Sequence, residues 1–301
     1  MPPLPYPFHI YIDNLERCLE EASCIGTTLV GIVVILLLYV DDIVLLARSP
    51  YDLHHQLKIL KDLCSNMGMS VNTDKTKVII IKLKKDTYAN FVYDNNNLEE
   101  ASSCKYLGID IHHKLNWNNN IEKRINGGWK YYFGLENNCK STNLVMWDKK
   151  KFLFETLVTP VILYGCEIWG CNISRESWRK FEQIQKRFIT YNLKIKSNTP
   201  YHILLMEVGL PPIECIAMYK YLMYKNKINN MEDQRLLKIA LNSSQGHLRL
   251  KRGWYKDTMA WLNHRGIDEH TALQDINNLK NTITSKFKAR MWDEKVLKGK
   301  R

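Results

Sequence analysis

Residues 36–48 read Leu-Leu-Leu-Tyr-Val-Asp-Asp-Ile-Val-Leu-Leu-Ala-Arg, two adjacent carboxylates between two of the most apolar runs in the chain. A carboxylate enclosed by hydrocarbon takes up a proton rather than stay charged, and two neighbours repel each other. Asp41 and Asp42 are tolerable together at an exposed strand end, or where they share a cation. An apolar run, Tyr-x-Asp-Asp and a second apolar run is thus how a β-hairpin carries a divalent-metal site on its turn.

The elements around the pair are readable from periodicity. Ile12, Leu15 and Leu19 mark an amphipathic helix from Phe8 to Glu21. Thr27–Tyr39 and Ile43–Ala47 are expected to pair as the two strands of the hairpin. Ser49-Pro50 is a helix start, a capping hydroxyl followed by proline at the first position. Leu53, Leu57, Leu60, Cys64 and Met67 form the buried stripe of that helix, and Gly68 closes it. Met69–Val71, Lys77–Lys82 and Cys104–Ile111 read as strands, with a turn at Asn95–Asn97. After His112 the pattern turns helical, at about 118–137, 143–158, 174–191 and 211–228, with three or four helices beyond. Pro160 is expected to end or kink the second of these. The reading is an α+β module, an antiparallel sheet with helices on one face, followed by an all-helical region.

Composition supports that division. Residues 1–110 carry 10 Lys and Arg against 14 Asp and Glu, whereas residues 111–301 carry 33 against 17. An acidic metal-binding part joined to a basic part that grips a polyanion fits this split, as does a merely soluble basic helical domain. The eight cysteines are scattered with no Cys-x-x-Cys, and Cys166 and Cys171 have no histidine at zinc spacing. They read as reduced, mostly buried thiols of an intracellular protein, with nucleus and cytoplasm left open. His247, His264 and His270 are too far apart for a ligand motif.

A competing reading is a non-enzymatic, membrane-associated protein with an apolar hairpin at 25–47. Ile25–Val40 is nearly unbroken apolar sequence, but a bilayer span needs about twenty residues. Carrying it on through Ala47 would bury both carboxylates, at roughly 2.5–3.5 kcal/mol for an Asp at the bilayer centre.

Four landmarks in order resemble reverse transcriptases of non-LTR (LINE-like) retrotransposons. Tyr39-Val40-Asp41-Asp42 with its apolar flanks is similar to their catalytic hairpin. Gly68-Met-Ser-Val-Asn72 with Lys75-Thr-Lys77 resembles the segment after the palm helix. Lys105-Tyr-Leu-Gly108 resembles the primer-grip turn, and Leu163-Tyr-Gly-Cys-Glu-Ile-Trp-Gly170 a stretch of the thumb region. The resemblance covers roughly residues 4–230. It implies a partial polymerase palm over 1–112, a helical thumb-like region over 113–240, and a basic helical extension over 241–301.

It also implies an RNA-directed DNA polymerase with an RNA template and a DNA primer, without a small-molecule cofactor. The chemistry would be nucleotidyl transfer with two divalent cations, Mg²⁺ or Mn²⁺, about 4 Å apart. Asp41 would be a direct metal ligand and Asp42 an auxiliary one. Lys75 and Lys77 would lie near the triphosphate, if they are not simply solvated. Lys105, Tyr106 and Gly108 would approach the primer, though Tyr106 and Leu107 read equally well as core. Arg175, Arg179, Lys186 and Arg187 lie opposite Trp178, Phe181, Ile184 and Phe188 on the 174–191 helix, where they could hold phosphates. Trp147, Tyr164 and Trp169 read as packing residues.

The upstream strand that carries a further catalytic Asp in the family has no counterpart in these residues, nor have the fingers. Pro3-Leu-Pro-Tyr-Pro-Phe8 onward matches only the following motif, which puts Asp13 on a helix. Because Mg²⁺ requires an octahedral shell fixed by several oxygens, the expectation is weak metal binding and no polymerase activity by this chain alone.

Overall fold

Ile12, Leu15 and Leu19 are all buried on one face of α1 (Tyr6–Glu21), as their spacing requires. The structure is a computed structural model and describes residues 6–81, 90–246, 253–275 and 278–296. Lys82 and His247 lie outside them, as does the end of the basic tail. The chain divides into two compact units, Met1–Asn116 and Trp117–Arg301.

In the first unit the long strand expected over Thr27–Tyr39 is broken. Strands β1 (Thr27–Leu29) and β2 (Ile32–Val34) pair antiparallel, and β3 (Leu36–Tyr39) with β4 (Asp42–Leu45) makes a second hairpin. The break falls at Val30 and Gly31, with φ of 51° and 81°. Two successive left-handed residues form the tight hairpin turn that matches strand twist. A β-branched valine is a poor advertisement for it. Among the described residues no single helix is long and apolar enough to cross a membrane, and 25–47 is two short hairpins.

Helix α2 (Pro50–Asn66) begins as expected. The Ser49 hydroxyl accepts from the Asp52 amide at 3.2 Å and donates to its carboxylate at 2.6 Å. Leu57, Leu60, Leu63 and Cys64 are buried, and Gly68, at φ 64°, follows the helix end. Then come β5 (Lys77–Val78), β6 (Val92–Tyr93), β7 (Asn96–Asn97) and β8 (Glu99–Glu100), where β5 runs parallel to β8 and β6 turns into β7 through Asp94 and Asn95. Met69–Val71 forms no ladder. The strand expected at Cys104–Ile111 is instead a hairpin of β9 (Ser103–Tyr106) and β10 (Ile109–His112), turned at Leu107 and Gly108 with φ of 46° and 80°. The unit is α+β, but its described strands form five two-stranded sheets rather than one continuous sheet.

The second unit is helical: α3 (Asn118–Ser141), α4 (Trp147–Leu153), α5 (Thr159–Ile162), α6 (Cys166–Trp169), α7 (Arg175–Asn192), α8 (Tyr201–Val208), α9 (Ile213–Asn229), α10 (Leu236–Gly246), α11 (Trp254–His264), α12 (Glu269–Gln274) and α13 (Leu279–Val296). Pro160 does not end its helix. A π turn over Phe154–Val158 ends two residues before it, and the helix runs on to Ile162. The wider turn accommodates a residue that cannot donate a backbone hydrogen bond. The core gathers Tyr132, Phe154, Trp169, Trp178, Phe181, Ile184, Phe188 and Tyr221. Trp147 stacks on Phe188, whereas Tyr164 is exposed, with the Arg124 guanidinium 4.8 Å from its ring centre, and is no core residue. All eight cysteines are free, and five are buried.

Candidate functional site

The two acids stand at the tip of the β3–β4 hairpin. Leu36 pairs with Leu45, Leu37 with Val44, Leu38 with Ile43, and Tyr39 with Asp42, so Val40 and Asp41 are the turn. Val40 has φ 56°, a conformation that costs an L side chain roughly 1–2 kcal/mol. Both carboxylates are exposed, as are Tyr39 and Val40. The surrounding leucines, isoleucine and valine are partly or fully buried. The ladder below the tip holds the strained turn, and the tip carries the charge.

Gln56 fixes the base of this construction. It is fully buried on α2, and its amide donates to the Ile25 and Leu46 carbonyls, each at 3.0 Å. These carbonyls flank the double hairpin, so one side chain pins its entry and its exit. The Arg48 guanidinium also donates to the Thr28 hydroxyl, tying the end of the second hairpin to the first. Sequence reasoning missed Gln56. Its only signal is a polar residue beside the buried stripe of α2.

Tyr106, on β9, is the residue this geometry adds to the acids. Its phenol is pushed up, first by burial and then by the nearby charge of Asp42. The charge of the catalytic-hairpin candidate is thus felt at Tyr106 of the primer-grip candidate. Lys105 is exposed and sits opposite the buried Asp110 across the β9–β10 ladder. Gly108 supplies the second left-handed position of that turn.

Lys75 is exposed on a turn organised by Asn72, whose side-chain oxygen accepts from the Lys75 amide at 3.1 Å and whose carbonyl accepts from the Thr76 hydroxyl at 2.8 Å. Lys77 is engaged in an ion pair with Glu99.

Helix α7 is capped by Ser174 and buries Trp178, Phe181, Ile184 and Phe188. Arg175, Arg179 and Arg187 are exposed and Lys186 half-buried. They do not form one uniform stripe. Arg175 and Arg179 act electrostatically on Glu182. Arg187 hydrogen-bonds the buried Tyr132 and lies 5.4 Å from the Tyr191 ring centre, over which Lys140 also sits at 5.2 Å. Lys150 donates to Asn192 at 2.8 Å in the same region. Lys140 and Lys150 thus extend the basic surface beyond the residues expected from sequence.

Hard carboxylate oxygens suit Mg²⁺ or Mn²⁺ in type, so Asp41 and Asp42 fit such an ion. Among the described residues, no group of three or more His, Cys, Asp and Glu is placed to hold a metal.

Residues 2–111 match the family model for reverse transcriptase (RNA-dependent DNA polymerase). Over 138 residues the chain is 32% identical to an uncharacterised transposon-derived protein of Caenorhabditis elegans, covering 44% of this chain and 48% of that one. Over 173 residues it is 23% identical to a protein described as the RNA-directed DNA polymerase from transposon BS of Drosophila melanogaster, covering 55% of this chain and 18% of that one. The chain spans less than half the length of either relative. No solved structure matches it. The segment that bears the acidic hairpin and Tyr106 is thus similar to reverse transcriptases.

Proposed function

We propose that this chain is part of a LINE-like reverse transcriptase, with a partial palm over residues 1–112, a thumb-like helical region over 113–240 and a basic extension over 241–301. Asp41 and Asp42 are its contribution to two-metal nucleotidyl transfer, Asp41 as direct ligand and Asp42 in support. The observation that carries this reading is the hairpin itself, two exposed adjacent carboxylates on a strained two-residue turn. Bound Mg²⁺ or Mn²⁺ would supply charge stabilisation at the attacking and leaving oxygens.

The chain's own residues do the positioning. Gln56 holds the hairpin's base, Val40 sets its turn, and Tyr106 flanks Asp42. Two carboxylates fix only part of an octahedral shell, so this polypeptide by itself should not extend a primer. Its stronger property is binding of RNA template and DNA primer through the basic helical half, where Arg175, Arg179, Lys186 and Arg187 meet phosphates. Lys75, Lys105 and Gly108 approach the nucleic acid from the palm side.

Two measurements test this. Titration with an RNA–DNA duplex at two salt concentrations should show affinity falling steeply with salt, because phosphate contacts release counterions. Salt-independent binding contradicts the reading. Primer extension with Mg²⁺ or Mn²⁺ should be absent, and robust extension abolished by Asp41→Ala would overturn the reading that the cation site is incomplete.

A further inference from the structure

Glu136 and Lys140 lie one turn apart on α3, and Arg187 and Tyr191 one turn apart on α7, so each pair shares a helix face. Helix α4 is fixed against α7 by aromatic stacking. Trp147 and Phe154 both stack on Phe188, with ring centres 5.3 and 4.3 Å apart. Lys150 lies between those two anchors in sequence, and its Nζ donates to the Asn192 side-chain oxygen at 2.8 Å. The Asn192 amide in turn donates to Glu136 and to the Phe188 carbonyl, each at 2.9 Å. Beside Asn192, the centre of the Tyr191 ring is 5.2 Å from the Lys140 Nζ and 5.4 Å from the Arg187 guanidinium. Three helices thus bring three cations to the exposed Tyr191 and its neighbour. The carboxylate bonded into this cluster, Glu136, is buried and accepts from a neutral amide. Among the described residues none of the three cations forms an ion pair. Lys140 and Arg187 are exposed and Lys150 half-buried, so the surplus positive charge faces solvent.

We propose that Lys140, Lys150 and Arg187 form an anion site around Tyr191 and Asn192 that seats a backbone phosphate of the bound nucleic acid. The donors suit that ligand. An ammonium has three N–H groups, and Lys150 spends one of them on Asn192. Charge-assisted bonds from ammonium and guanidinium groups to phosphate oxygens are the strong kind, and a cluster drawn from three packed helices loses little freedom in making them. The site is separate from Arg175 and Arg179. Arg187 follows Arg179 by two turns of α7, roughly 12 Å along the axis, so the two places engage different phosphates. The proposal rests on the reading of the helical half as a nucleic-acid-binding region, and it adds Lys140 and Lys150 as binding residues.

The test titrates the whole chain with a labelled RNA–DNA duplex over a series of salt concentrations. Changing Lys140→Gln and Lys150→Gln together should weaken binding about tenfold near 0.1 M salt and flatten the salt slope by about two. The control, Lys227→Gln with Lys286→Gln, removes the same charge from exposed positions on α9 and α13 and should cost less than about twofold. Equal losses in the two double variants mean that only net charge matters, and they overturn the site while leaving nucleic-acid binding in place. Lys140 stands in the last turn of α3, where a cation also suits the helix dipole. A lower urea midpoint in the Lys140 and Lys150 variant, with affinity no weaker than the control's, assigns the lysines to the helix ends and overturns the proposal. Binding that ignores salt, or no binding, removes the nucleic-acid reading and the proposal with it. Acetylation of wild-type lysines, read by mass spectrometry, does not depend on how a variant folds. The duplex should protect Lys140 and Lys150, and equal labelling of both with and without duplex overturns the site.

Discussion

The Asp42 carboxylate at the tip of the β3–β4 hairpin lies close enough to the Tyr106 phenol on the β9–β10 hairpin to oppose its ionisation. Burial is the larger cause of the shift and the Asp42 charge the smaller. Asp42→Asn should therefore lower the Tyr106 ionisation midpoint only part of the way to that of a free tyrosine. A spectroscopic titration, with Tyr106→Phe identifying the transition, measures this. An unchanged midpoint means that the two hairpins do not face each other.

The same pair predicts a weak divalent-metal site. Titration with Mn²⁺, followed by the loss of its free-ion paramagnetic signal, should reveal one site that disappears when Asp41 and Asp42 are both changed to Asn. Because both side chains are exposed, the double change should alter stability by no more than about 0.5 kcal/mol. Equal Mn²⁺ binding by the variant places the metal elsewhere.

Local rules made some of this structure readable. Ser49-Pro50 predicts the start of α2 because a capping hydroxyl and an N1 proline act through residues next to them. The acidic doublet predicts an exposed turn because desolvation leaves it few other places. What stayed hidden depends on distant partners or on conformations the residue type disfavours. Nothing in Leu29-Val30-Gly31-Ile32 announces a valine with positive φ, so two short strands read as one. Tyr106 reads equally well as core or site until the charge of Asp42 is found to act on its phenol. Gln56 becomes informative only when both carbonyls it satisfies are known.

Val40 offers a direct check on the strained turn. With φ 56° and its side chain exposed, it loses little burial on truncation, and glycine adopts this conformation without steric penalty. Val40→Gly should stabilise the N-terminal unit by about 0.5–1 kcal/mol, the relief offset in part by the greater freedom of the unfolded chain. Urea unfolding measures the change. A loss of stability would show that Val40 packs against something the exposed tip does not reveal.

In the helical unit the strongest dependence falls on Arg265. It is buried, forms a two-pronged pair with buried Glu214, and sits 4.7 Å from the Phe287 ring centre, so one side chain links the end of α11 to α9 and α13. Arg265→Met keeps much of the volume but leaves the Glu214 carboxylate with Trp261 as its remaining donor from this group. Breaking one side of such a pair costs about 3–5 kcal/mol because a buried charge loses its partner. Adding Glu214→Gln to Arg265→Met should recover a large part of that loss, since an amide carries no charge to strand. Denaturant midpoints of the two single variants and the double variant measure the coupling, and additive losses would show that the pair is not a unit.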